Sequence, residues 1–344
     1  MKTFLVMAVL FVSATAHGQA ALKLPEASPA ATVAQTIGLT DVTVVYHRPA
    51  VAGRAVWGKL VPYGEPWRAG ANENTTITFS SDVKVGGKPL KAGTYGLHML
   101  PTAKDWTVMF STMALAWGSF SYDQKEDALR ITVTPKPTTT SEERLSYRFD
   151  DPSDTKATLV LSWEKLAVPI AIEVETSKIA MASIRQQLRG PAGFTWQGFS
   201  QAATYAFRNG PIEEAVKLVD RSIAINPTYQ NLSLRASIVE KQGNAKAAAE
   251  LRARAQAMAS ENDLNQTGYR LMSEKKVDEA IKMFQTIAER FPESWNAQDS
   301  LGEALAIKGD KAGAIAAYTK ASALAKDPVQ KKRIDATIVR LKAP

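Results

Sequence analysis

Four alanines recur at nearly equal intervals in the carboxyl-terminal half of the chain. Ala215, Ala248, Ala280 and Ala314 are separated by 33, 32 and 34 residues. Each stands at the same place in a pattern of apolar residues with helical spacing. A period of about 34 residues is typical of arrays built from pairs of antiparallel helices, with small residues where the two helices cross. The spacing therefore predicts four helical hairpins stacked into an all-α solenoid.

The third unit carries the pattern most completely. Its residues at the pattern positions are Leu264, Gly268, Leu271, Ala280, Phe284, Ile287 and Pro292. The fourth unit repeats the pattern over residues 301–321, whereas the second unit has Arg252 at the position where the third has an aromatic residue. In these positions the chain resembles the tetratricopeptide family. That resemblance implies an array that binds other proteins or peptides and seldom performs chemistry.

The first helix of each hairpin is expected to line a groove. Its side chains are mostly amides and hydroxyls, which can hydrogen-bond an extended peptide backbone without demanding a particular sequence. The alternative is a short spacer array that has no ligand of its own. The candidate partner-binding residues are Gln201, Thr204, Arg208, Ser237, Lys241, Gln266 and Tyr269.

The boundaries of the helical half follow from the same periodicity. The repeats are expected over residues 194–328, after a linker helix at 177–193. Beyond them, Ile334, Ile338 and Leu341 follow at spacings of four and three, which predicts an amphipathic capping helix at 329–344. Solenoids need such caps because a terminal unit has a neighbour on one side only.

The amino-terminal half has a different periodicity. Its apolar segments are short, rich in β-branched and aromatic residues, mostly alternating with polar residues, and separated by turn formers such as Gly86-Gly87. No helical stretch is available for parallel crossovers, so the pattern predicts an antiparallel β-sandwich over residues 24–175. Pro169 indicates an edge or a bulge in the last strand. The expected strands are 32–37, 41–46, 75–79, 94–100, 106–110, 128–133, 144–149, 158–163 and 168–174.

A long stretch without periodicity, residues 48–74, interrupts these strands. A loop of this length inside a compact domain is usually functional or disordered, and its aromatic content argues against disorder. The loop and its surroundings contain the motifs Tyr46-His47-Arg48-Pro49, Gly53-Arg54, Trp57-Gly58, Leu60-Val61-Pro62-Tyr63-Gly64, Trp67-Arg68-Ala69-Gly70-Ala71-Asn72-Glu73 and Ala92-Gly93-Thr94-Tyr95. In these motifs the chain resembles the bacterial domain-of-unknown-function family 2911. That resemblance implies export and frequent fusion to tetratricopeptide repeats, with no established activity.

The loop allows two interpretations. In the first, its aromatic residues pack against the sandwich, and Arg54 or Arg68 pairs with Glu73. In the second, the loop forms a pocket that binds or hydrolyses a glycan or a small anionic ligand, joined by Trp117 and Tyr122. The candidate ligand-binding residues are Arg54, Trp57, Tyr63, Trp67, Arg68, Asn72 and Glu73.

Motifs for catalysis are scarce in this chain. It contains no cysteine, no Gly-x-Ser-x-Gly elbow and no glycine-rich phosphate loop. Beyond residue 20 the only histidines are His47 and His98, without the ligand spacing of a zinc motif. The acidic stretch 123–127 is typical of a solvated turn. We therefore predict no catalytic residues, no metal and no cofactor, and consider binding a better hypothesis than enzyme activity.

The first twenty residues have the pattern of a secretory signal peptide. Lys2 precedes an apolar run at residues 4–12, and small residues offer cleavage after Ala16 or Ala20. The run is shorter than the ~20 residues of a spanning helix, so no stable membrane span is expected after cleavage. We therefore expect a bacterial periplasmic or extracellular protein, and nucleic acid is not an expected partner. The oligomeric state stays open.

Overall fold

The computed structural model describes residues 24–343. It divides after Thr176 into two compact units, and each is considered by itself below. The predicted signal peptide at residues 1–20 lies outside the described residues. Within the described part of the chain, no helix combines the length and apolarity needed to cross a membrane.

The first unit consists of two antiparallel β-sheets, so the predicted β-sandwich is confirmed. A six-stranded sheet has the order β1-β2-β3-β6-β7-β8, and a four-stranded sheet has the order β5-β4-β10-β9. The strands are β1 (Ala30–Ile37), β2 (Thr40–His47), β3 (Thr76–Phe79), β4 (Val83–Val85), β5 (Lys88–Leu90), β6 (Gly93–Leu100), β7 (Trp106–Ser111), β8 (Asp127–Val133), β9 (Lys136–Asp150) and β10 (Lys156–Glu173).

The strand bounds differ from the prediction in three places. Strand β9 begins at Lys136, eight residues before the expected start at residue 144. Segments 158–163 and 168–174, expected as two strands, form the single strand β10, which has an irregularity at Glu164 with a φ of 53°. Pro169 lies between the residues of β10 that pair with β9 and those that pair with β4, so its missing N–H breaks neither ladder. The hairpin of β4 and β5 around Gly86-Gly87 was not predicted, because strands of three residues are too short to show an alternation.

Alternation in the strands directs apolar side chains between the two sheets. In β6, Leu97 and Met99 are fully buried on the side of the core, whereas His98 points to the other face of its sheet. The two sheets meet through Tyr46 of β2 and Tyr147 of β9, whose ring centroids are 4.7 Å apart at an edge-to-face angle.

The second unit is all α-helical, as predicted. Helices α2 to α9 form four consecutive hairpins, with α1 before them and α10 after them. The helices are α1 (Thr176–Gln187), α2 (Trp196–Asn209), α3 (Ile212–Ile225), α4 (Tyr229–Lys241), α5 (Ala245–Met258), α6 (Glu261–Ser273), α7 (Val277–Arg290), α8 (Trp295–Lys308), α9 (Lys311–Leu324) and α10 (Pro328–Lys342).

The periodic alanines lie where the two helices of each hairpin cross. All four, at positions 215, 248, 280 and 314, are fully buried. In the third hairpin a Cβ on Gly268 would lie 2.5 Å from the ring of Phe284, so only glycine allows this ring to pack against α6. In the fourth hairpin a Cβ on Gly302 would lie 3.0 Å from the ring of Tyr318, so the same close packing occurs there. The small residues of the repeat pattern thus lie where the two helices of a hairpin approach each other most closely.

Both ends of the array are covered by further helices. Met181 of α1 is buried in a cluster with Ala206 and Ala215 of the first hairpin. At the other end Ile334 of α10 is fully buried against α9. The segment expected as one linker helix over 177–193 is α1 followed by a short 3-10 turn, Pro191–Phe194.

Candidate functional site

Two loop tryptophans lie in a cluster between the sheets of the β unit. The ring centroid of Trp57 is 4.8 Å from that of Trp106 in β7 and 5.6 Å from that of Trp163 in β10. Trp67 stacks on Trp163 at 5.9 Å and donates its indole N–H to the carbonyl of Gly70 over 3.1 Å. Because Trp106 and Trp163 are almost fully buried, Trp57 and Trp67 act as the apolar cover at this edge of the core.

Other predicted loop residues are held by neighbouring main chain and by the start of the domain. The guanidinium of Arg54 donates to the carbonyls of Ala50 and Val51, so Arg54 braces its own turn. The amide of Asn72 donates to the Glu26 carboxylate over 2.9 Å.

Glu73 pairs with a histidine instead of an arginine. Its carboxylate lies 3.2 Å from Nε2 of His47, which also lies 3.4 Å from the carboxylate of Glu26. The expected ion pair of Glu73 with Arg54 or Arg68 is therefore not the one that forms. Tyr63 is about half exposed and its ring lies under Gly58.

Arg68 is the loop residue that reaches a second loop. Its guanidinium carbon lies 5.8 Å from the ring centroid of Phe120. A Cβ on Gly118 would lie 2.1 Å from Nη1 of Arg68, so the guanidinium rests directly against the main chain there. The structure thus brings Arg68 together with residues 112–126, which we call the β7–β8 segment.

Buried polar side chains anchor the β7–β8 segment to the six-stranded sheet. The amide of Asn74 donates to the carbonyls of Met113 and Ala114 over 3.4 and 3.3 Å. The hydroxyl of Tyr122 donates to the Asp127 carboxylate, which also accepts from Arg130 over 2.7 Å. Burial is the main reason that the pKa of Tyr122 is raised, and the bond to Asp127 adds to it.

His98 forms the central anchor under the same segment. Its side chain is 2% exposed, its Nδ1 lies 2.8 Å from the hydroxyl of Ser119, and its ring packs on Tyr122. Burial lowers the pKa of His98 to about 4, although the nearby charge of Asp127 opposes this. His98 is therefore neutral at physiological pH and ties the segment down without carrying a charge.

The buried His98 predicts a stability that falls in acid. Between pH 6.5 and about 4 the unfolded chain binds a proton that the folded chain does not, so stability falls as the pH falls through this window. At about 1.4 kcal/mol per pKa unit, the loss approaches about 3 kcal/mol. We expect the variant His98→Asn to have a flatter dependence in urea unfolding measured from pH 7 to 4. Identical pH profiles for the two proteins would contradict this account of His98.

The two histidines do not form a metal site in the described part of the chain. His47 contacts Glu26 and Glu73, whereas His98 contacts Ser119 and Tyr122. No group of three or more His, Cys, Asp or Glu side chains over residues 24–343 is arranged to hold a metal ion.

In the helical unit, the first helices of successive hairpins form a row. Tyr229 of α4 shares a hydrogen bond of 2.9 Å with Thr267 of α6. Tyr269 of α6 donates to the Glu303 carboxylate of α8 over 2.8 Å. Burial raises the pKa of Tyr269 to about 12, so this phenol keeps its proton at neutral pH and can donate. These contacts fix the spacing between neighbouring first helices.

The predicted groove residues divide into two sets in this row. Thr204 and Ser237 donate their hydroxyls to carbonyls one turn earlier in their own helices. The hydroxyl of Tyr269 donates to Glu303 of α8. Gln201, Arg208, Lys241 and Gln266 are exposed, and their polar ends form no hydrogen bond with a described residue. The ammonium of Lys241 lies 5.0 Å from the ring centroid of Phe207.

Asp299 of α8 is largely buried at the end of the row. Arg333 of the capping helix α10 donates to its carboxylate over 2.8 Å. Helix α10 therefore occupies the place beside α8 that a further first helix would take.

Comparison with protein families finds a match within each half of the chain. Residues 28–172 match the family described as "Protein of unknown function (DUF2911)", and residues 266–328 match the tetratricopeptide repeat. Both resemblances expected from the sequence are thereby confirmed. The chain thus combines a domain of unknown function with repeats of a class that suggests protein–protein interaction.

Solved repeat proteins resemble the helical half. YrrB, a protein whose structure is described as having an unusual peptide-binding site, is 18% identical over 46% of this chain and 84% of its own, with a TM-score of 0.27. MamA is 16% identical over 47% of this chain and 92% of its own, with a TM-score of 0.27. A Cytophaga hutchinsonii repeat protein is 12% identical over 48% of this chain and 66% of its own, with a TM-score of 0.31. The search of curated proteins gives no match.

Sequence reasoning missed most of the polar anchors in the β unit. The sequence predicts Asp127 as part of a solvated turn, yet its side chain is 3% exposed and hydrogen-bonded to Tyr122 and Arg130. The alternation of β6 could have placed Gly96 and His98 on one face. It gave no sign that a later segment would cover this face and bury the histidine.

Proposed function

We propose that this protein is an exported binding protein whose repeat array holds a protein or peptide partner along the row of first helices. The observation that carries the proposal is the set of exposed side chains on that row. The polar ends of Gln201, Arg208 and Gln266 form no hydrogen bond with a described residue. Free amide and guanidinium groups on a rigid row of helices suit an extended peptide, whose backbone offers donors and acceptors at regular intervals.

The charge of the array favours an acidic partner at its beginning. Residues 177–258 contain eleven Lys and Arg against five Asp and Glu, whereas residues 259–310 contain six against ten. Arg208 and Lys241 lie in the basic part. A partner segment with carboxylates would gain both faster association and better contacts there.

The export of the protein from the cytoplasm is part of the same proposal. Lys2, the apolar run at 4–12 and the small residues before position 20 support export through a cleaved signal peptide. The family resemblance of residues 28–172 adds to this. The amino-terminal residue of the purified exported protein distinguishes cleavage after Ala16 from cleavage after Ala20.

Site-specific cross-linking in the full chain tests the binding row. A photoreactive amino acid at Gln266 is expected to cross-link a partner in envelope extract, whereas the same group at Lys320, which is exposed on the second helix α9, is not. The double variant Arg208→Glu and Lys241→Glu should weaken the Gln266 cross-link by about tenfold or more, since two favourable contacts become repulsive.

A matched pair of substitutions controls for net charge. Lys217→Glu with Lys320→Glu changes the charge equally, on the second helices α3 and α9. We expect this control to keep the cross-link. Equal loss in both double variants, or cross-linking from Lys320 as strong as from Gln266, would argue against the row of first helices as the binding surface.

A further inference from the structure

Among the residues that the structure describes, none accepts a hydrogen bond from the guanidinium of Arg68 in the β unit. Arg68 is half-buried, its Nε is fully buried, and no described residue forms a hydrogen bond or ion pair with it. Burial lowers the pKa of Arg68, and the more distant charge of Glu73 only partly opposes this. An unmet donor in a desolvated place costs about 1–3 kcal/mol, but Nε is closed to solvent, so only the outer nitrogens of the guanidinium could donate to a ligand.

The chain is shaped to keep the guanidinium in this place. Gly118 has a φ of 71°, and any side chain there would collide with Nη1 of Arg68. The ring of Phe120 lies 5.8 Å from the guanidinium carbon. A ring beneath a guanidinium supports it but does not satisfy its N–H donors, which lie in the guanidinium plane. Arg68 is therefore held in position with its donors unused.

Large apolar side chains stand exposed in the segment that contains Gly118 and Phe120. Leu115, Trp117 and Phe120 are 95%, 61% and 85% exposed, all within the β7–β8 segment. The segment is not loosely attached, because Asn74, His98 and Asp127 anchor it from below. Apolar side chains that a firmly held loop presents to water are typical of a binding surface. The exposed ring of Phe120 beside the guanidinium of Arg68 points to one kind of ligand.

We propose that Arg68, Trp117 and Phe120 bind a small organic anion that carries a flat apolar group, of the aryl carboxylate or aryl phosphate class. The carboxylate or phosphate oxygens accept two hydrogen bonds from Arg68, and the flat group covers Phe120 and Trp117. His98, Asn74 and Asp127 are positioning residues that hold the segment and do not touch the ligand. The site lies wholly in the β unit and does not depend on the proposed role of the repeats.

Titration calorimetry of the full chain with defined probes tests the ligand class. Benzoate and phenyl phosphate combine both features, acetate and inorganic phosphate lack the ring, and benzyl alcohol lacks the charge. We expect each incomplete probe to bind at least about tenfold more weakly than its complete counterpart. Failure of both complete probes to bind at millimolar concentration, or equal binding of the incomplete ones, would overturn the proposal.

Substitutions test the residues that we assign. Arg68→Gln should weaken benzoate binding by about tenfold, and Phe120→Ala by about threefold or more. Lys59→Gln removes one positive charge from an exposed position in the same loop and should change binding by less than about twofold. If Arg68→Gln fails to fold, Phe120→Ala decides, because that side chain is exposed. Wild-type affinity in both site variants, or an equal loss in Lys59→Gln, would refute the site.

Discussion

Replacing Trp57 by alanine should destabilise the β unit by about 3 kcal/mol, although the residue belongs to a loop. Its ring contacts Trp106 in one sheet and Trp163 in the other, so its removal opens a cavity where the two sheets meet. Urea unfolding followed by tryptophan fluorescence measures the effect, since five of the seven tryptophans lie in this unit.

Trp117→Ala provides the matched control for this prediction. Trp117 is 61% exposed and has no ring contact with a described aromatic residue, so its loss should change stability by less than about 0.5 kcal/mol. A similar small effect for both variants would mean that the Trp57 ring is not needed for folding. That result would favour the interpretation of the loop as a ligand pocket built around the Trp57 ring.

Phe284→Ala should be the most damaging single change in the helical unit, with a loss of about 4 kcal/mol. The ring is fully buried, lies against Gly268 and meets Tyr269 edge to face at 5.3 Å. Because α6 has no side chain at this crossing, nothing nearby can fill the space that the ring leaves. Far-UV circular dichroism during urea unfolding follows the helices directly.

Phe194→Ala is the corresponding control in the same unit. This phenylalanine is 82% exposed, so its truncation should leave the unfolding midpoint almost unchanged. Equal destabilisation by the two variants, or a stable Phe284→Ala protein, would show that the third hairpin does not depend on the contact between Gly268 and Phe284.

The helical half could be predicted well because its signal is local and repeated. The buried alanines, Gly268 and Phe284 recur at positions set by helix geometry, and each hairpin packs mainly on its neighbours in sequence. The second hairpin shows where the pattern weakens: Arg252 replaces the aromatic ring and pairs with Glu240 at the surface. Its helix α4 packs on both neighbours, through Ile238 in the cluster of the first hairpin and Tyr229 against the cluster of the third.

The sandwich was predictable as a class, but its candidate site was not. Strand alternation identified the core, whereas the partners of Arg68, His98 and Asp127 come from segments distant in sequence. The composition of the loop indicates Trp57 and Trp67 as candidate ligand-binding residues, whereas in the structure they cover the core. Only the folded chain reveals that Arg68 lies beside Gly118 and Phe120.

The coverage of both ends of the array has a consequence for assembly. Met181 and Ile334 lie buried beneath α1 and α10, where a further hairpin would otherwise stack. A further hairpin could stack directly on the first or the fourth one only after α1 or α10 had moved away, which would expose apolar surface that is now buried. The proposed binding row therefore spans the four hairpins between α1 and α10.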